Sequence, residues 1–300
     1  MKEEKLKIKI VKDEEIKKIV RQNYGKIVKS SSSCCTPVNS CCTPVSSCCG
    51  SSETDIMNAI SKNIGYTDKE LNSIPEGANL GLGCGNPVAL ASLKKGETVL
   101  DLGSGAGIDC FLAAKKVGKT GKVIGVDMTP DMISSARIYA KQSNYDNVEF
   151  RLGEIEHLPV EKNSVDIIIS NCVINLVPSK VKAFQEAYRV LRSGGRLMIS
   201  DIVLLKELPD FILESIDAYI GCVAGAILKK DYLKAMEKAG FTDIEVLEES
   251  MFPIDVLTIN PKVMEIVKEM NIEPKMLKDI ANSVVSLKVK AYKNKKNDRN

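Results

Sequence analysis

The chain is 300 residues long, with 44% hydrophobic and 27% charged residues and a formal net charge of +3. These values fit one large globular domain, or a domain with an appended segment, and give no case for a nucleic-acid surface. No apolar run reaches the ~18 residues of a membrane span. The N-terminus, Met-Lys-Glu-Glu-Lys, lacks the apolar segment of a secretory signal. We therefore expect a cytoplasmic monomer that binds neither nucleic acid nor a membrane.

The first predicted element is an amphipathic helix. Ile16, Val20 and Ile27 recur at roughly helical spacing, which predicts a helix from about Asp13 to Val28. Such a helix packs on the main domain, covers a ligand, or does both.

A repeat of adjacent cysteines follows this helix, with the units Cys34-Cys35, Cys41-Cys42 and Cys48-Cys49 separated by proline and serine. Because thiols stay mostly reduced in the cytoplasm, we expect binding of a metal or metalloid, or catalysis, rather than structural disulfides. The spacing of zinc-finger pairs is absent, so a soft thiophilic partner fits better. The alternative is a low-complexity loop in which one unit matters and the others are copies.

A glycine-rich loop over residues 75–87 surrounds Cys84. It follows a helical stretch predicted over 53–72 and precedes a short helix predicted over 88–95. Gly83 and Gly85 flank the cysteine. Because glycines provide no side chains that could cover a neighbouring cysteine, we expect Cys84 to be less buried than cysteines usually are.

The most informative stretch is residues 98–107, where an apolar run ends at Asp101 and alternating glycines follow. The pattern predicts a strand, a tight turn and the start of a helix over 108–117. A carboxylate at the mouth of this turn repels a pyrophosphate and attracts a cationic ligand.

Asp127 ends the next predicted strand, 122–127, where a carboxylate can bind two ribose hydroxyls. Ribose next to a positive charge favours S-adenosylmethionine, a sulfonium nucleoside. The alternatives are an NAD site and an ordinary strand and turn.

Apolar strands and helices alternate through the rest of the chain, which predicts an α/β fold with a parallel sheet covered on both faces. Thr129 is the predicted N-cap of one of these helices. The further predicted strands are 148–151, 165–170, 195–202, 243–248 and 284–292, and the further helices are 130–142, 178–191, 210–227, 229–239 and 261–281.

Three cysteines are predicted to meet at one edge of this sheet. Cys172 lies just past strand 165–170, at the carboxyl edge where ligands of parallel sheets bind. We expect Cys84 and Cys222 to fold over the same edge. Three thiolates suit a soft, trigonal-pyramidal ion such as As(III), whereas structural zinc takes a fourth ligand. The alternative is that Cys172 and Cys222 are buried small hydrophobic residues.

We predict neither a catalytic nor a ligand-binding role for Cys110 and His157. Cys110 lies on the helix after the glycine turn, and we predict that it belongs to the core. His157 is the only histidine, so it cannot form a metal cluster, and we predict that it lies on the surface.

The sequence resembles the arsenite S-adenosylmethionine methyltransferase family from about Asn23 to about Phe241. The residues that carry the resemblance are Pro75–Pro87, Leu100–Asp109, Gly125–Pro130, Ser170–Leu176, Gly221–Gly225 and the upstream Cys48-Cys49-Gly50. It implies a Rossmann-like class I methyltransferase fold. We expect an N-terminal helix, Cys-rich loop and cover over 1–74, the methyltransferase domain over 75–250, and C-terminal helices with a last strand over 251–300.

The resemblance also implies roles for the cysteines. Cys172 and Cys222 bind As(III) as thiolates, joined by Cys84. Cys48 or Cys49 forms a disulfide with Cys84 during turnover, and thioredoxin or glutathione reopens it. The repeated Cys-Cys unit departs from the single pair of many relatives.

The predicted activity is methyl transfer from S-adenosylmethionine to arsenite or thiol-bound As(III). The alternatives are a methyltransferase acting on carbon or oxygen of a small organic molecule, and a protein that sequesters metalloids through its Cys repeat. The residues that we predict to contact the methyl donor are Asp101, Gly103, Ser104, Gly105, Asp127, Met128, Glu154, Ile155 and Asn171.

Overall fold

A seven-stranded sheet forms the centre of the protein. The computed structural model describes residues 2–31, 53–209, 212, 225–251 and 273–294. The strands are β1 (Thr98–Leu102), β2 (Lys122–Asp127), β3 (Val148–Leu152), β4 (Val165–Asn171), β5 (Leu191–Leu204), β6 (Thr242–Met251) and β7 (Val284–Tyr292).

The strand order is β3-β2-β1-β4-β5-β7-β6. The five strands from β3 to β5 in this order run parallel, whereas β7 runs antiparallel to both β5 and β6, so the sheet is mixed rather than wholly parallel. This is the Rossmann-like class I methyltransferase sheet that the sequence predicts. Because the strand order reverses between β1 and β4, their carboxyl ends border a crevice suited to a ligand.

Helices cover both faces of the sheet. They are α1 (Lys2–Ser31), α2 (Glu53–Asn63), α3 (Asp68–Leu71), α4 (Pro87–Leu90), α5 (Ile108–Val117), α6 (Pro130–Gln142), α7 (Lys180–Val190), α8 (Lys229–Ala239) and α9 (Pro274–Ala281), with a 3-10 turn at Ile174–Leu176. Across the ranges that the structure describes, no helix is both long and apolar enough to cross a membrane.

Alternate residues of the central strands point to opposite faces. Val99 and Ile167 pack on one face with residues of α5 and α6, while Leu100 and Ile168 pack on the other with residues of α7 and α8. Burial on both faces explains why these strands read as continuous apolar runs.

Most elements lie where the sequence predicts them, with differences at their ends. Helix α7 begins at Lys180 and is capped by the Ser179 side chain, two residues beyond the predicted start. Thr129 precedes α6 as predicted, but its side chain makes no capping hydrogen bond, and its peptide N–H donates to Asp127. The helix predicted over 210–227 and the start of that predicted over 261–281 fall almost wholly outside the described residues.

Candidate active site

A cavity of about 270 Å³ lies at the carboxyl ends of β1, β2 and β4. Helix α1 packs against α6 and covers one side of the cavity with Lys17, Val20 and Tyr24. The helix thus packs on the main domain, which is one of the two positions weighed from the sequence, and it also lines the cavity. All nine residues predicted to contact the methyl donor line the cavity: Asp101, Gly103, Ser104, Gly105, Asp127, Met128, Glu154, Ile155 and Asn171.

The turn after β1 approaches its surroundings too closely for side chains. Gly103 has a φ of 68°, and a Cβ atom there would lie 2.3 Å from Cγ2 of Val173. The peptide N–H of Gly103 donates to the carbonyl of Val126 at 2.8 Å, which ties the turn to β2. Glycine is therefore required here by both conformation and space.

Asp127 fixes the far side of the same turn. Its carboxylate accepts hydrogen bonds from the peptide N–H groups of Gly105, at 3.0 Å, and Thr129, at 2.8 Å. Burial raises its pKa, and these hydrogen bonds oppose the rise. A carboxylate held in this way can receive ribose hydroxyls at the end of β2.

Asp101 is 2% exposed, and burial together with the nearby Asp109 holds its pKa well above the ordinary value. The thiol of Cys110 donates to Asp101 at 3.2 Å. Cys110 is fully buried, which confirms the prediction that it belongs to the core. A cationic group in the cavity would favour the ionised form of Asp101.

These residues fit S-adenosylmethionine. The buried hydroxyl of Ser104 has no hydrogen-bond partner among the described residues, so it can bond to a ligand in the cavity. The glycine turn permits close approach to the backbone, and the two buried acids, Asp101 and Asp127, favour a positive charge and a ribose.

Glu154 and Glu156, after β3, meet a cation from α1. Lys17 lies 2.7 Å from Glu154 and 3.0 Å from Glu156. Its burial disfavours the charged amine, but hydrogen bonds to the two glutamates outweigh this and raise its pKa. Sequence reasoning missed Lys17 and Glu156, because pairing across 137 positions leaves no local signal. His157 is exposed, as predicted.

Cys84 is buried, with 5% exposure, and the prediction that it would be less buried than usual is wrong. The flanking glycines explain the burial. A Cβ atom on Gly85 would lie 2.0 Å from Oγ of Ser200, so only glycine allows the loop to lie so close to β5. The hydroxyl of Ser286, on β7, donates to the carbonyl of Cys84 at 2.9 Å.

Cys172 lies at the carboxyl end of β4 and lines the cavity. It adopts a φ of 56°, and its peptide N–H donates to the carbonyl of Ser200 at 2.8 Å. The sulfur atoms of Cys84 and Cys172 and a carboxylate oxygen of Asp201 all lie within 4.8 Å of one another. The structure thus brings two of the predicted thiols together. Cys48, Cys49 and Cys222 lie outside the described residues.

Asp201, on β5, is a site residue that sequence reasoning missed. It is 1% exposed, and its carboxylate accepts from Asn175 at 2.8 Å and from the hydroxyl of Tyr232 at 3.0 Å. Burial raises its pKa to about 7. The sequence carries a signal for it, because Asp201 sits in a buried apolar strand as Asp101 does.

The comparisons with known proteins agree with this geometry. Residues 93–240 match a family described as a methyltransferase domain. The chain is 49% identical over 233 residues to an arsenite methyltransferase of Halobacterium salinarum, covering 78% of this chain and 59% of that protein. It is 39% identical over 181 residues to an arsenite methyltransferase of Aquipseudomonas alcaligenes, covering 58% of this chain and 51% of that protein. The chain therefore spans only part of the length of these curated relatives.

A solved structure is also similar. The crystal structure of CrArsM, an arsenic(III) S-adenosylmethionine methyltransferase from Chlamydomonas reinhardtii, matches with a TM-score of 0.59 and 31% identity, over 81% of this chain and 75% of that one. Sequence identity, shared fold and coverage together lead to one conclusion: the chain belongs to the arsenite S-adenosylmethionine methyltransferase family.

Proposed function

We propose that the protein transfers a methyl group from S-adenosylmethionine to As(III) bound by cysteine thiolates. The observation that carries the proposal is the position of Cys172, which lines the cavity and whose sulfur lies within 4.8 Å of that of Cys84. A thiol pair at the edge of the cavity suits a thiophilic acceptor. In this proposal, residues 75–250 form the catalytic domain. Residues 1–74 cover it, and residues 251–300 form a C-terminal extension.

The donor side depends on the turn after β1 and the end of β2. Bound S-adenosylmethionine supplies an electrophilic methyl group on a positively charged sulfur. We assign the ribose to Asp127, the positive charge to the region of Asp101, and a hydrogen bond to the Ser104 hydroxyl. Met128, Glu154 and Ile155, all on the cavity wall, are assigned to the remaining nucleoside contacts.

The acceptor side depends on the thiols. Cys84 and Cys172 hold As(III) as thiolates, and Cys222 is the proposed third ligand. Each As–S bond replaces an As–O bond, and the hydroxide leaves as water with the thiol proton. The arsenic keeps its lone pair throughout, and this lone pair attacks the methyl carbon. Holding both reactants in line supplies much of the rate gain, on the order of 7–11 kcal/mol in favourable systems. No general base is needed, because the lone pair carries no proton.

Electron balance requires a reductant after the transfer to arsenite. Formation of the As–C bond is matched by cleavage of the bond between the methyl carbon and the sulfonium sulfur, which leaves as the neutral thioether. The transfer formally oxidises arsenic from As(III) to As(V). Two thiols then return two electrons and join in one disulfide, and the arsenic is again As(III). We assign this disulfide to Cys84 with Cys48 or Cys49. Thioredoxin or glutathione, as a thiol donor, would reopen it.

The test is methylation of arsenite in the presence of S-adenosylmethionine and a thiol, with methylated products counted. Cys172→Ser should lower the rate at least ~100-fold, and Cys222→Ser should do the same. Calorimetric binding of S-adenosylmethionine to each variant is the internal control and should be unchanged. Full activity in either variant would contradict the assignment of that cysteine as a thiolate ligand of As(III).

A second substrate tests the disulfide. Replacing Cys48 together with Cys49, or Cys84 alone, should impair methylation of arsenite while sparing methylation of a monomethylated As(III) compound. Equal losses on both substrates would contradict the disulfide role.

A further inference from the structure

Three different ligand atoms converge beside the cavity. The sulfurs of Cys84 and Cys172 and a carboxylate oxygen of Asp201 lie within 4.8 Å of one another. Two of the three residues are nearly inaccessible, since Cys84 is 5% and Asp201 is 1% exposed. Two sulfurs and one carboxylate oxygen at this spacing form a set of ligand atoms that one cation can join.

The ligand types select a class of cation. Mg²⁺ and Ca²⁺ require oxygen ligands and do not fit two sulfurs. Zn²⁺ accepts cysteine sulfur at about 2.3 Å and carboxylate oxygen at about 2.0–2.2 Å, in tetrahedral geometry. At those bond lengths, two sulfurs bound to one ion lie about 3.8 Å apart. The sulfurs of Cys84 and Cys172 lie within 4.8 Å of each other, so they need to approach by about 1 Å or less.

Neighbouring groups already orient the acid. Asp201 accepts hydrogen bonds from the Asn175 amide, from the Tyr232 hydroxyl and from the peptide N–H of Ile202, at 2.8–3.0 Å. Carboxylates that bind metals are usually held by such outer partners, which fix their orientation. Cys172 borders the cavity, which provides an entry path and a position for a fourth ligand such as water.

We propose that Cys84, Cys172 and Asp201 form a binding site for a thiophilic divalent cation, with Zn²⁺ as the fitting example. Binding displaces the two thiol protons to solvent and leaves one coordination position open toward the cavity. The site shares two thiols with the proposed As(III) site but replaces Cys222 by an oxygen ligand. It follows, if the proposed function is correct, that such a cation inhibits methylation in competition with arsenite.

The experiment uses Co²⁺ as a spectroscopic probe for this class of cation. The full-length parent variant carries serine at Cys34, Cys35, Cys41, Cys42, Cys48 and Cys49, so that the repeat binds no metal. We expect one equivalent of Co²⁺ to bind, with cobalt–thiolate absorption, and Zn²⁺ to displace it. Neither arsenite nor a methyl donor is present, so the assay is independent of methylation.

Substitutions in the parent variant then identify the ligands. Cys84→Ser and Cys172→Ser should abolish the cobalt–thiolate absorption of the site. Asp201→Asn should weaken binding at least ~tenfold, as loss of a carboxylate ligand requires. The matched control is Asp166→Asn, a half-buried acid of β4 that pairs with Arg192, and it should bind Co²⁺ as the parent does.

X-ray absorption of the zinc-bound parent variant gives an answer even if Asp201→Asn fails to fold. Two sulfur ligands with oxygen ligands support the site, whereas three sulfurs would assign the cation to Cys222 and overturn it. Unchanged affinity in a folded Asp201→Asn variant also overturns it. A protein that methylates arsenite but binds no Co²⁺ refutes this inference alone, and the reverse result refutes the proposed function alone.

Discussion

The side-chain oxygen of Asn171 accepts a hydrogen bond from the peptide N–H of Cys84 at 3.0 Å. The amide nitrogen of Asn171 donates to the carbonyl of Gly85 at 2.7 Å and to the hydroxyl of Tyr66 at 3.0 Å. The last residue of β4 thus holds the cysteine loop from both sides of Cys84. Although the sequence predicts that Asn171 contacts the methyl donor, its side chain is engaged by the protein, which makes it a candidate positioning residue for Cys84.

Asn171→Ala should therefore release the loop. We expect alkylation of Cys84 by iodoacetamide, followed by mass spectrometry, to accelerate at least ~tenfold, because the buried thiol becomes accessible. Cys110 in the same protein is the control, since it is fully buried in the core and should react as slowly as before. An unchanged rate at Cys84 would show that Asn171 does not hold the loop.

The glycine turn offers a test that separates backbone strain from steric clash. Gly103 and Gly118 have nearly the same φ, 68° and 69°, but a Cβ atom on Gly118 would meet nothing within 4 Å. Gly118→Ala should cost about 1–3 kcal/mol in free energy of unfolding, because a φ of 69° with a ψ of −175° is a backbone conformation found almost only in glycine. Gly103→Ala adds the clash with Val173, which costs about 1–3 kcal/mol more.

Urea unfolding of both variants measures the two costs. Calorimetric binding should show that Gly103→Ala also weakens S-adenosylmethionine binding, whereas Gly118→Ala leaves it unchanged. A loss of no more than about 1–2 kcal/mol in Gly103→Ala, the size of backbone strain alone, would contradict a tight contact between Gly103 and Val173.

The sequence predicts the sheet well because its signals are local. Apolar runs such as those of β1 and β4, and turns rich in glycine, depend on residues close together in the chain. The donor cavity follows from the same signals, because the ends of adjacent parallel strands must meet. The sequence alone is therefore sufficient to place Asp101 and Asp127 at this cavity.

Contacts between distant segments could not be predicted in this way. The burial of Cys84 depends on Ser200 and Ser286, which approach the loop only in the folded chain. Flanking glycines suggested exposure, but their lack of side chains is what allows close packing. Lys17 likewise meets Glu154 and Glu156 only because α1 crosses the cavity.

The ion pairs of Lys17 should hold α1 over the cavity. Lys17→Met should lower the free energy of unfolding by up to about 3 kcal/mol, because it leaves the buried Glu156 without its cation. Glu154, in contrast, still pairs with Arg21. It should also weaken S-adenosylmethionine binding severalfold, since α1 forms part of the cavity wall. Urea unfolding and calorimetry measure the two effects.

The neighbouring Lys18→Met is the matched control, because Lys18 is exposed and its loss should change neither quantity. A double variant, Lys17→Met with Glu156→Gln, should be less destabilised than the sum of its single variants. Additive losses would mean that the two residues are not coupled.

Asp109 should make stability depend on pH. It accepts hydrogen bonds from Tyr66 and Asn171, and burial raises its pKa to about 6 although these hydrogen bonds oppose the rise. Between the unfolded value of about 3.9 and about 6, the folded protein binds more protons than the unfolded chain. Stability contributed by Asp109 is therefore full below about pH 4 and is lost as the pH rises to about 6, by up to about 3 kcal/mol.

Asp109→Asn should remove this loss, because the amide stays neutral. We expect urea unfolding at pH 4.5 and pH 6.5 to give a smaller difference for the variant than for the wild-type protein. The variant lacks the titration of Asp109 and also loses the part of the rise in the Asp101 pKa that Asp109 causes. Asp146→Asn changes an exposed acid and should leave the pH dependence as in the wild type. A pH dependence in Asp109→Asn identical to that of the wild-type protein would mean that Asp109 is already ionised in the folded state at pH 4.5.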